Sequence, residues 1–431
     1  MIGAWLWWGA TAAWAACTVI TGAEVHTPMG VQKGRTVVLS GDEVAAVGLQ
    51  LSGLTLDVRG GEETPAAAWQ GVPCEVVQGA GKVLTPGIVA VDSQIGLVEV
   101  GMEEAANEAD PHTADAVRAA LVATDAYDPR RSTVGVNRTH GVTHAIVSPG
   151  GGGIVQGQVG AVRLSGARQA EVVLAEAVAM SAGMPSRSWA EALRQLRELM
   201  ADVRAYAADP AGYRAGRLRP LFPEASALDL AALVPVARGE VPVVVTADRA
   251  AEIEALLRVA DELGLSLVIR GAAEGHLVAD ALAEAEVPVI VDPLVYGPGS
   301  FDQVHGRPDN AALLHQAGVS VLLSAGSSHN ARVLRQSAGN AVRGGLPHAA
   351  ALHAITAEPA RVFGQKDRGE LAVGRIANVV VWSGDPLELT TQVEHVIIEG
   401  RSVGLQTRQT ELLERYRTLP GSPLPALPLP E

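Results

Sequence analysis

The chain has 431 residues, of which 48% are apolar and 19% are charged. This balance excludes a disordered chain, and the length allows a large buried core. The formal net charge of −14 argues against nucleic acid as a partner.

The N-terminal stretch, residues 2–16, is apolar and uncharged. It is shorter than the roughly 20 residues that a membrane span needs, so no transmembrane segment is predicted. Ala13-Trp14-Ala15 fits the small-x-small pattern of a signal-peptidase site. We interpret residues 1–15 as a signal peptide and predict export to the periplasm or the extracellular space. A lipoprotein attached through Cys17 is a less favoured alternative, and a cytoplasmic protein with an apolar tail is the other.

Two cysteines, Cys17 and Cys74, are too few for a disulfide framework. They form either one disulfide, if the protein is exported, or two separate buried thiols, and the sequence leaves both alternatives open. The sequence has no CxxC motif or Cys/His cluster that would indicate a structural zinc site.

The first third of the chain begins with β-like runs. Residues 18–20, 36–39, 44–47 and 74–77 predict a small β domain, interrupted by a polar segment at 59–73. The pattern changes after Gly87. It predicts a helix over the Ala-rich residues 113–125 and a buried strand over 141–147, followed by a Gly-rich loop that leads to Gln156. A further amphipathic helix is predicted over 188–207, with Ser188 as its N-cap.

The next stretch is the most regular. Apolar strands are predicted at 241–246, 265–269, 287–291 and 319–323, and helices follow them at 249–263, 274–285, 309–317 and 330–343. Strands that alternate with helices indicate a parallel sheet, and the chain has room for about eight such units, the size of a closed barrel. After Pro359 two more strands are predicted, at 377–382 and 393–398. A short polar helix at 406–418 and a Pro-rich tail follow.

The segment 82–94 contains the first candidate site residues. It predicts a turn and then a short apolar strand that ends in Asp92, Ser93 and Gln94. Because side chains two residues apart on a strand point to the same face, we expect Asp92 and Gln94 to leave the strand end together, with Ser93 facing the other way. This arrangement suits a pair of ligands at the mouth of a barrel.

Four motifs occur in an order that resembles the amidohydrolase superfamily, closest to its imidazolonepropionase-like and dihydroorotase-like branches. They are GKVLTPG at 81–87, SHNAR at 328–332, ITAEPA at 355–360 and GELAVGRIANVVVW at 369–382. The resemblance covers nearly all of residues 17–403 and implies an α/β fold: a (β/α)8 TIM barrel plus a composite β-sandwich domain built from N- and C-terminal segments. The implied divisions are 16–84 and 359–403 for the sandwich, 85–358 for the barrel and 404–431 for the helix and tail.

The resemblance also implies positions for metal ligands. Active members bind one or two divalent ions, such as zinc, through histidines on the first, fifth and sixth strands and an aspartate after the eighth. Some add a carbamylated lysine. These positions fall on Asp92, Gln94, Thr246, Gly271 and Gly326, and no lysine lies between Lys82 and Lys366. Since zinc prefers imidazole, thiolate and carboxylate ligands, we predict no metal cofactor and a degenerate metal site.

Three hypotheses follow for function. The first is a catalytically silent pseudoenzyme. The second is a hydrolase of C–N bonds, in non-peptide or peptide-like amides, with a rebuilt metal-free site. The third is a secreted binding or assembly protein that takes a small anionic molecule at a pocket made by Arg249, Arg270, the 150–158 loop and Asn330. Independently of these hypotheses, the resemblance implies a homo-oligomer. Candidate catalytic residues are Asp92, Gln94, Asp248, Arg270 and His329; candidate substrate-binding residues are Gln156, Arg249, His305 and Asn330. For His305 and His329 the ordinary alternative is a polar loop residue, and for Asp248 it is a helix cap.

Overall fold

A computed structural model describes residues 17–57, 66–111, 115–184, 188–217, 219–297, 299–326 and 328–417. Residues 1–15, interpreted above as a signal peptide, lie outside the described residues, as does most of the predicted tail. Within the described part of the chain, none of the helices combines the length and apolarity that crossing a membrane would require.

The N-terminal segment supplies most of a mixed β-sheet domain. Its strands are β1 (Cys17–Thr27), β2 (Gly30–Ser40), β3 (Glu43–Gly48), β4 (Leu54–Asp57), β5 (Ala66–Trp69), β6 (Val72–Gln78) and β7 (Val83–Pro86). Strand β1 pairs antiparallel with β2 and parallel with both β6 and β7. The first strand is longer than the run predicted at 18–20. Strand β1 continues past Gly22, whose φ is +70°, with register irregularities between Ile20 and Val25.

A disulfide joins Cys17 of β1 to Cys74 of β6 across a sequence separation of 57 residues. The sequence left open whether the two cysteines pair or remain separate thiols, and in the structure they pair. The two strands also pair directly, with Thr18 opposite Glu75. The disulfide thus lies within one sheet and reinforces a strand pair that backbone hydrogen bonds already hold.

The second sheet is the barrel, an eight-stranded sheet in which the strands follow one another in chain order. Its strands are β8 (Ile88–Ser93), β9 (Val142–Val147), β10 (Val155–Arg163), β11 (Val173–Ala182), β12 (Val243–Ala247), β13 (Leu267–Gly271), β14 (Val289–Val291) and β15 (Val321–Leu323). Strand β10 runs antiparallel to both neighbours, whereas β11 to β15 are parallel. The expected βα alternation therefore fails at β10, which follows a Gly-rich loop instead of a helix.

The barrel is closed between its first and last strands by a short segment of backbone. The amide of Val89 in β8 donates to the carbonyl of Ile355 at 2.8 Å, and the amide of Leu323 in β15 donates to the carbonyl of Ala354 at 3.1 Å. A buried apolar cluster fills the interior; its members include Val89, Ile146, Val159, Ala179, Val244, Val268, Ile290 and Leu322. These eight residues come from the eight strands in turn, which is the packing expected inside a closed barrel.

The C-terminal strands return to the first sheet. They are β16 (Val379–Trp382), β17 (Val393–Ile398) and β18 (Arg401–Val403), and β16 pairs antiparallel with β7. The two ends of the chain thus build one domain beside the barrel. The predicted fold class, a TIM-like barrel plus a composite sandwich, is confirmed.

Helices connect the barrel strands, and one helix lies at the C-terminal end of the described chain. They are α1 (Ser132–Arg138), α2 (Gln169–Val172), α3 (Trp189–Ala208), α4 (Pro210–Arg214), α5 (Ala227–Ala237), α6 (Ala250–Leu263), α7 (Ala279–Glu284), α8 (Asn310–Gln316), α9 (Leu334–Arg343), α10 (His348–His353), α11 (Ala357–Val362) and α12 (Arg408–Tyr416). The Ser188 hydroxyl caps α3, as predicted.

The helix predicted over 113–125 is wrong for the described residues 115–122. They lie alongside β10 through bridges at Val117 and Val122, so tertiary pairing overrides the helical propensity of the alanines.

Candidate functional site

Polar residues line the barrel mouth because strand alternation places them there. The interior cluster includes Val244, Val268, Ile290 and Leu322. Side chains two residues further along a strand point to the same face and lie nearer its carboxyl end. These positions are Thr246, Arg270, Asp292 and Ser324. The carboxyl ends of the strands, where TIM barrels carry their chemistry, therefore present polar groups above an apolar interior.

A cavity of ≈ 320 Å³ opens at this end of the barrel. Its polar lining is Asp92, Asp248, Arg270, Asp292, Gln303, Arg307, Asn310 and Ser324, and its apolar lining includes Ile290, Val291, Pro293, Val295, Pro308 and Ala311. The volume is at the lower end of the range of small-molecule sites.

Arg270 is the central residue of this cavity. Its Nη1 donates to Asp92 Oδ1 in an ion pair, and its Nε donates to Thr246 Oγ1 at 2.8 Å. The side chains of Arg270 and Asp92 are only 21% and 26% exposed. The Arg270 guanidinium therefore links the carboxyl ends of β8, β12 and β13, the first, fifth and sixth strands of the barrel.

The backbone at the end of β8 differs from the regular strand that we expected. Asp92 has a φ of +50°, and the pairing with β9 shifts register between Ala90 and Ser93. This bulge sends Asp92 into the cavity and buries Ser93 completely. Gln94 is absent from the cavity lining, and its amide lies against Gly150. Asp92 and Gln94 therefore do not act as a pair, because the bulge breaks the strict alternation.

Two further carboxyl groups line the cavity. Burial raises the pKa of Asp248, although the Ala273 amide and the Gln303 side chain, each at 3.2 Å, donate to its carboxylate and oppose the shift. Burial also raises the pKa of Asp292, which accepts one hydrogen bond, from the Leu294 amide at 3.0 Å. Asp248 is not the cap of α6, since Arg249 occupies the N-cap position.

The remaining predicted site residues do not join the cavity. Arg249 pairs with Asp302 at 2.8 Å, and both side chains are about half exposed. Gln156 accepts from the Ser181 hydroxyl at 2.7 Å and donates to the Gly151 carbonyl at 2.8 Å, which fastens the Gly-rich loop. His305, His329 and Asn330 are exposed. The pocket expected from Arg249, Arg270, the 150–158 loop and Asn330 is thus not assembled.

Five polar lining residues were missed by the sequence analysis: Asp292, Gln303, Arg307, Asn310 and Ser324. Asp292 carried a usable signal, because it follows directly after the strand predicted at 287–291. Gln303 and Asn310 gave none, since the loop 292–309 brings them to the cavity through tertiary contacts alone.

Comparison with solved structures supports this architecture. The amidohydrolase from Thermotoga maritima MSB8 superposes with a TM-score of 0.76 at 24% identity, over 90% of this chain and 99% of that one. The β-aspartyl dipeptidase from Fervidobacterium islandicum AW-1 gives a TM-score of 0.51 at 14% identity, over 90% and 96% of the two chains. At these identities, the similarity shows the shared fold.

The model of the amidohydrolase family matches residues 314–404, which include β15, α9 to α11 and the C-terminal sandwich strands. Residues 314–404 of this chain are thus similar to the amidohydrolase family. An N-acyl-D-glutamate deacylase from Alcaligenes xylosoxydans xylosoxydans is 39% identical over 88 residues, which are 17% of this chain and 18% of the deacylase. The match thus spans less than a fifth of that relative.

The residues at the barrel mouth do not fit a divalent metal ion. Among the described residues, no group of three His, Cys, Asp or Glu side chains is arranged to hold one. Gly271 and Gly326 have φ values of +95° and +82°, which other residues rarely adopt. A Cβ at Gly271 would lie 2.5 Å from Asp248 Oδ1. Arg270 adds a fixed positive charge beside Asp92 and Thr246.

Proposed function

We propose that this amidohydrolase-superfamily protein binds a small polar molecule in the barrel-mouth cavity without a divalent metal, and that it has lost metal-assisted hydrolysis. The observation that carries the proposal is the Arg270 guanidinium bound to both Asp92 and Thr246. The superfamily resemblance gives the positions of Asp92 and Thr246 to metal ligands. Here both side chains instead bind the guanidinium of Arg270.

The physical basis is electrostatic repulsion between the Arg270 guanidinium and a divalent metal ion. A guanidinium stays protonated at any pH at which the protein is folded, so its charge is permanent. A divalent ion at Asp92 would lie close to this charge, and two cations repel strongly in a site that is only partly exposed to water. The cavity itself remains, with its polar groups above an apolar wall, which is the composition of a small-molecule site.

Elemental analysis tests the metal part of the proposal. The protein is produced with zinc and manganese in the growth medium and purified without chelators. We expect a metal content well below one ion per chain, equal in the wild type and in Asp92→Ala. Stoichiometric metal in the wild type that is lost in Asp92→Ala, but kept in Asp261→Ala at an exposed helix position, would refute the proposal.

A thermal-shift screen of small polar molecules tests the binding part. The cavity variant Val295→Trp, at a lining residue that is 42% exposed, serves as the control. A ligand of the cavity is expected to raise the melting temperature of the wild type and to leave that of Val295→Trp unchanged.

A second candidate function is metal-free hydrolysis of a C–N bond in an amide, supported by the raised pKa values of Asp248 and Asp292 in one cavity. A carboxyl group that keeps its proton to higher pH is a better general acid near neutrality. A panel of amides, cyclic amides and N-acyl amino acids, assayed with and without EDTA, tests it. Turnover that resists EDTA and is lost in both Asp248→Asn and Asp292→Asn is the result expected from this candidate.

A further inference from the structure

The charged side chains that line the cavity differ in whether they have a partner of opposite charge. The two lining arginines each have a carboxylate partner: Arg270 pairs with Asp92, and Arg307 pairs with Asp309 at 2.7 Å. Asp248 is held by two hydrogen bonds from Ala273 and Gln303. Asp292 accepts only the Leu294 amide, through Oδ1, and in the described part of the chain no cation pairs with it. The carboxylate of Asp292 thus faces the cavity without a counter-charge.

Arg270 presents a complementary group in the same cavity. Its Nε and Nη1 are occupied by Thr246 and Asp92, while Nη2 has no acceptor among the described residues. Arg270 pairs with Ile290 across the β13–β14 ladder. Asp292, two residues further along, therefore points to the same inward face as Arg270, and both line the cavity. A hydrogen-bond donor and a carboxylate thus lie on neighbouring strands without forming an ion pair with each other.

We infer that the cavity takes a small molecule in which a protonated amine lies next to a carbonyl or carboxylate oxygen, with the amine bound by Asp292 and the oxygen by Arg270 Nη2. The inference rests on the proposed function, since it names the ligand class of the same metal-free cavity. The apolar body of the ligand packs on Ile290, Val295 and Ala311. At about 30 Å³ per water-sized group, the cavity holds about ten non-hydrogen atoms.

The cost of burying Asp292 supports this assignment. Taking a carboxylate out of water without a cationic partner is unfavourable, and burial alone raises the pKa of this group. An ammonium group in the cavity offsets that cost, whereas a second carboxylate increases it. The ligand is therefore cationic at the Asp292 end.

Three probes that share one alkyl body separate the two halves of the site: L-leucine, isoamylamine, which lacks the carboxylate, and 4-methylpentanoate, which lacks the amine. Binding is measured by isothermal titration calorimetry on the full-length protein. We expect L-leucine to bind at least about tenfold more tightly than either fragment, and Asp292→Asn to weaken it at least about tenfold, the size of a lost charge pair.

Two controls make the result specific. Asp261→Asn removes an exposed carboxylate on α6 and is expected to change nothing. Val295→Trp fills the cavity from a half-exposed position, so it tests the site even if Asp292→Asn fails to fold; we expect it to abolish binding of L-leucine.

The outcomes that overturn the inference are distinct from those that overturn the proposed function. Equal or tighter binding of 4-methylpentanoate, unchanged affinity in Asp292→Asn, or no binding of any probe at about 1 mM would reject the amine site. Equal affinity for isoamylamine and L-leucine would reject the role of Arg270 Nη2. All of these results leave the metal-free assignment intact, and only stoichiometric metal at Asp92 contradicts that assignment.

Discussion

Arg270 at the end of β13 forms an ion pair with Asp92 at the end of β8, across the barrel mouth and across 178 residues of sequence. Both side chains are largely shielded from water, so each depends on the other to offset the cost of its own burial. The pair is therefore part of the fold as well as of the cavity.

Arg270→Ala is expected to lower the free energy of unfolding by about 2 kcal/mol, because it leaves the Asp92 carboxylate partly buried and unpaired. Urea denaturation measures the change. The matched control is Arg249→Ala, whose pair with Asp302 is about half exposed and is worth less than about 1 kcal/mol. Equal effects of the two substitutions would contradict the structural role of Arg270.

Gly271→Ala is expected to destabilise the protein by about 2–4 kcal/mol, since a left-handed residue gains a Cβ that meets Asp248. Gly318→Ala is the matched control: its φ of +91° is similar, and nothing lies within 4 Å of the added Cβ. The difference between the two variants in urea isolates the contact with Asp248. If both lost the same stability, the close approach at position 271 would be disproved.

Removing the disulfide, as Cys17→Ser with Cys74→Ser, is expected to cost up to about 4 kcal/mol of unfolding free energy for a loop closed over 57 residues. The loss arises mainly because the unfolded chain gains freedom. Denaturation of the double variant with and without dithiothreitol measures it. The reductant should lower the wild-type stability to that of the variant and leave the variant unchanged.

Stability is expected to fall as the pH is lowered below about 6.5, with His144 as one cause. This histidine is 3% exposed, and burial, with Arg368 beside it, holds its pKa well below the ordinary value. Below pH 6.5 the unfolded chain therefore binds a proton that the folded chain does not, which favours unfolding.

The slope from such a histidine is at most about 1.4 kcal/mol per pH unit. Unfolding free energies measured between about pH 7.5 and 5.5 should show a shallower slope in His144→Gln than in the wild type. The exposed His315 provides the control substitution, His315→Gln. A wild-type slope retained in His144→Gln would rule out this histidine as the cause.

The atomic contacts of His144 define its tautomer. Arg368 Nη1 lies 3.0 Å from Nε2, and a guanidinium can only donate, so Nε2 accepts. The ring proton is then on Nδ1, which donates to Thr143 Oγ1 at 3.0 Å. Both nitrogens of the neutral imidazole thus have a hydrogen-bond partner. A second ring proton would remove the acceptor that Nε2 offers to Arg368, so His144 resists protonation.

Local patterns predicted most of the barrel elements. The helix predicted at 188–207 is observed at Trp189–Ala208, and each of the four regular strands begins two residues later than expected. These features depend on periodicity and capping, which act over a few residues. The antiparallel β10 and the extended path of residues 115–122 were not predicted, because both follow from pairing between distant segments.

The candidate site was predicted only in part. Asp92, Asp248 and Arg270 were placed at the mouth, since each lies near the carboxyl end of a predicted strand. Gln94 was misplaced because a bulge at Asp92 changes the direction of the chain. Asp292 was overlooked although it directly follows the strand predicted at 287–291.

By itself the sequence predicted a parallel sheet of about eight strand–helix units and polar residues at the strand ends, and its resemblance to a known superfamily implied the (β/α)8 barrel with a two-part sandwich. Only the tertiary structure decided which of them meet: Arg270 with Asp92, Cys17 with Cys74, and Asp292 without a counter-charge. The reason is physical. Strand and helix patterns arise from neighbours in the chain, whereas an ion pair or an uncompensated carboxylate depends on segments that only the closed barrel brings together.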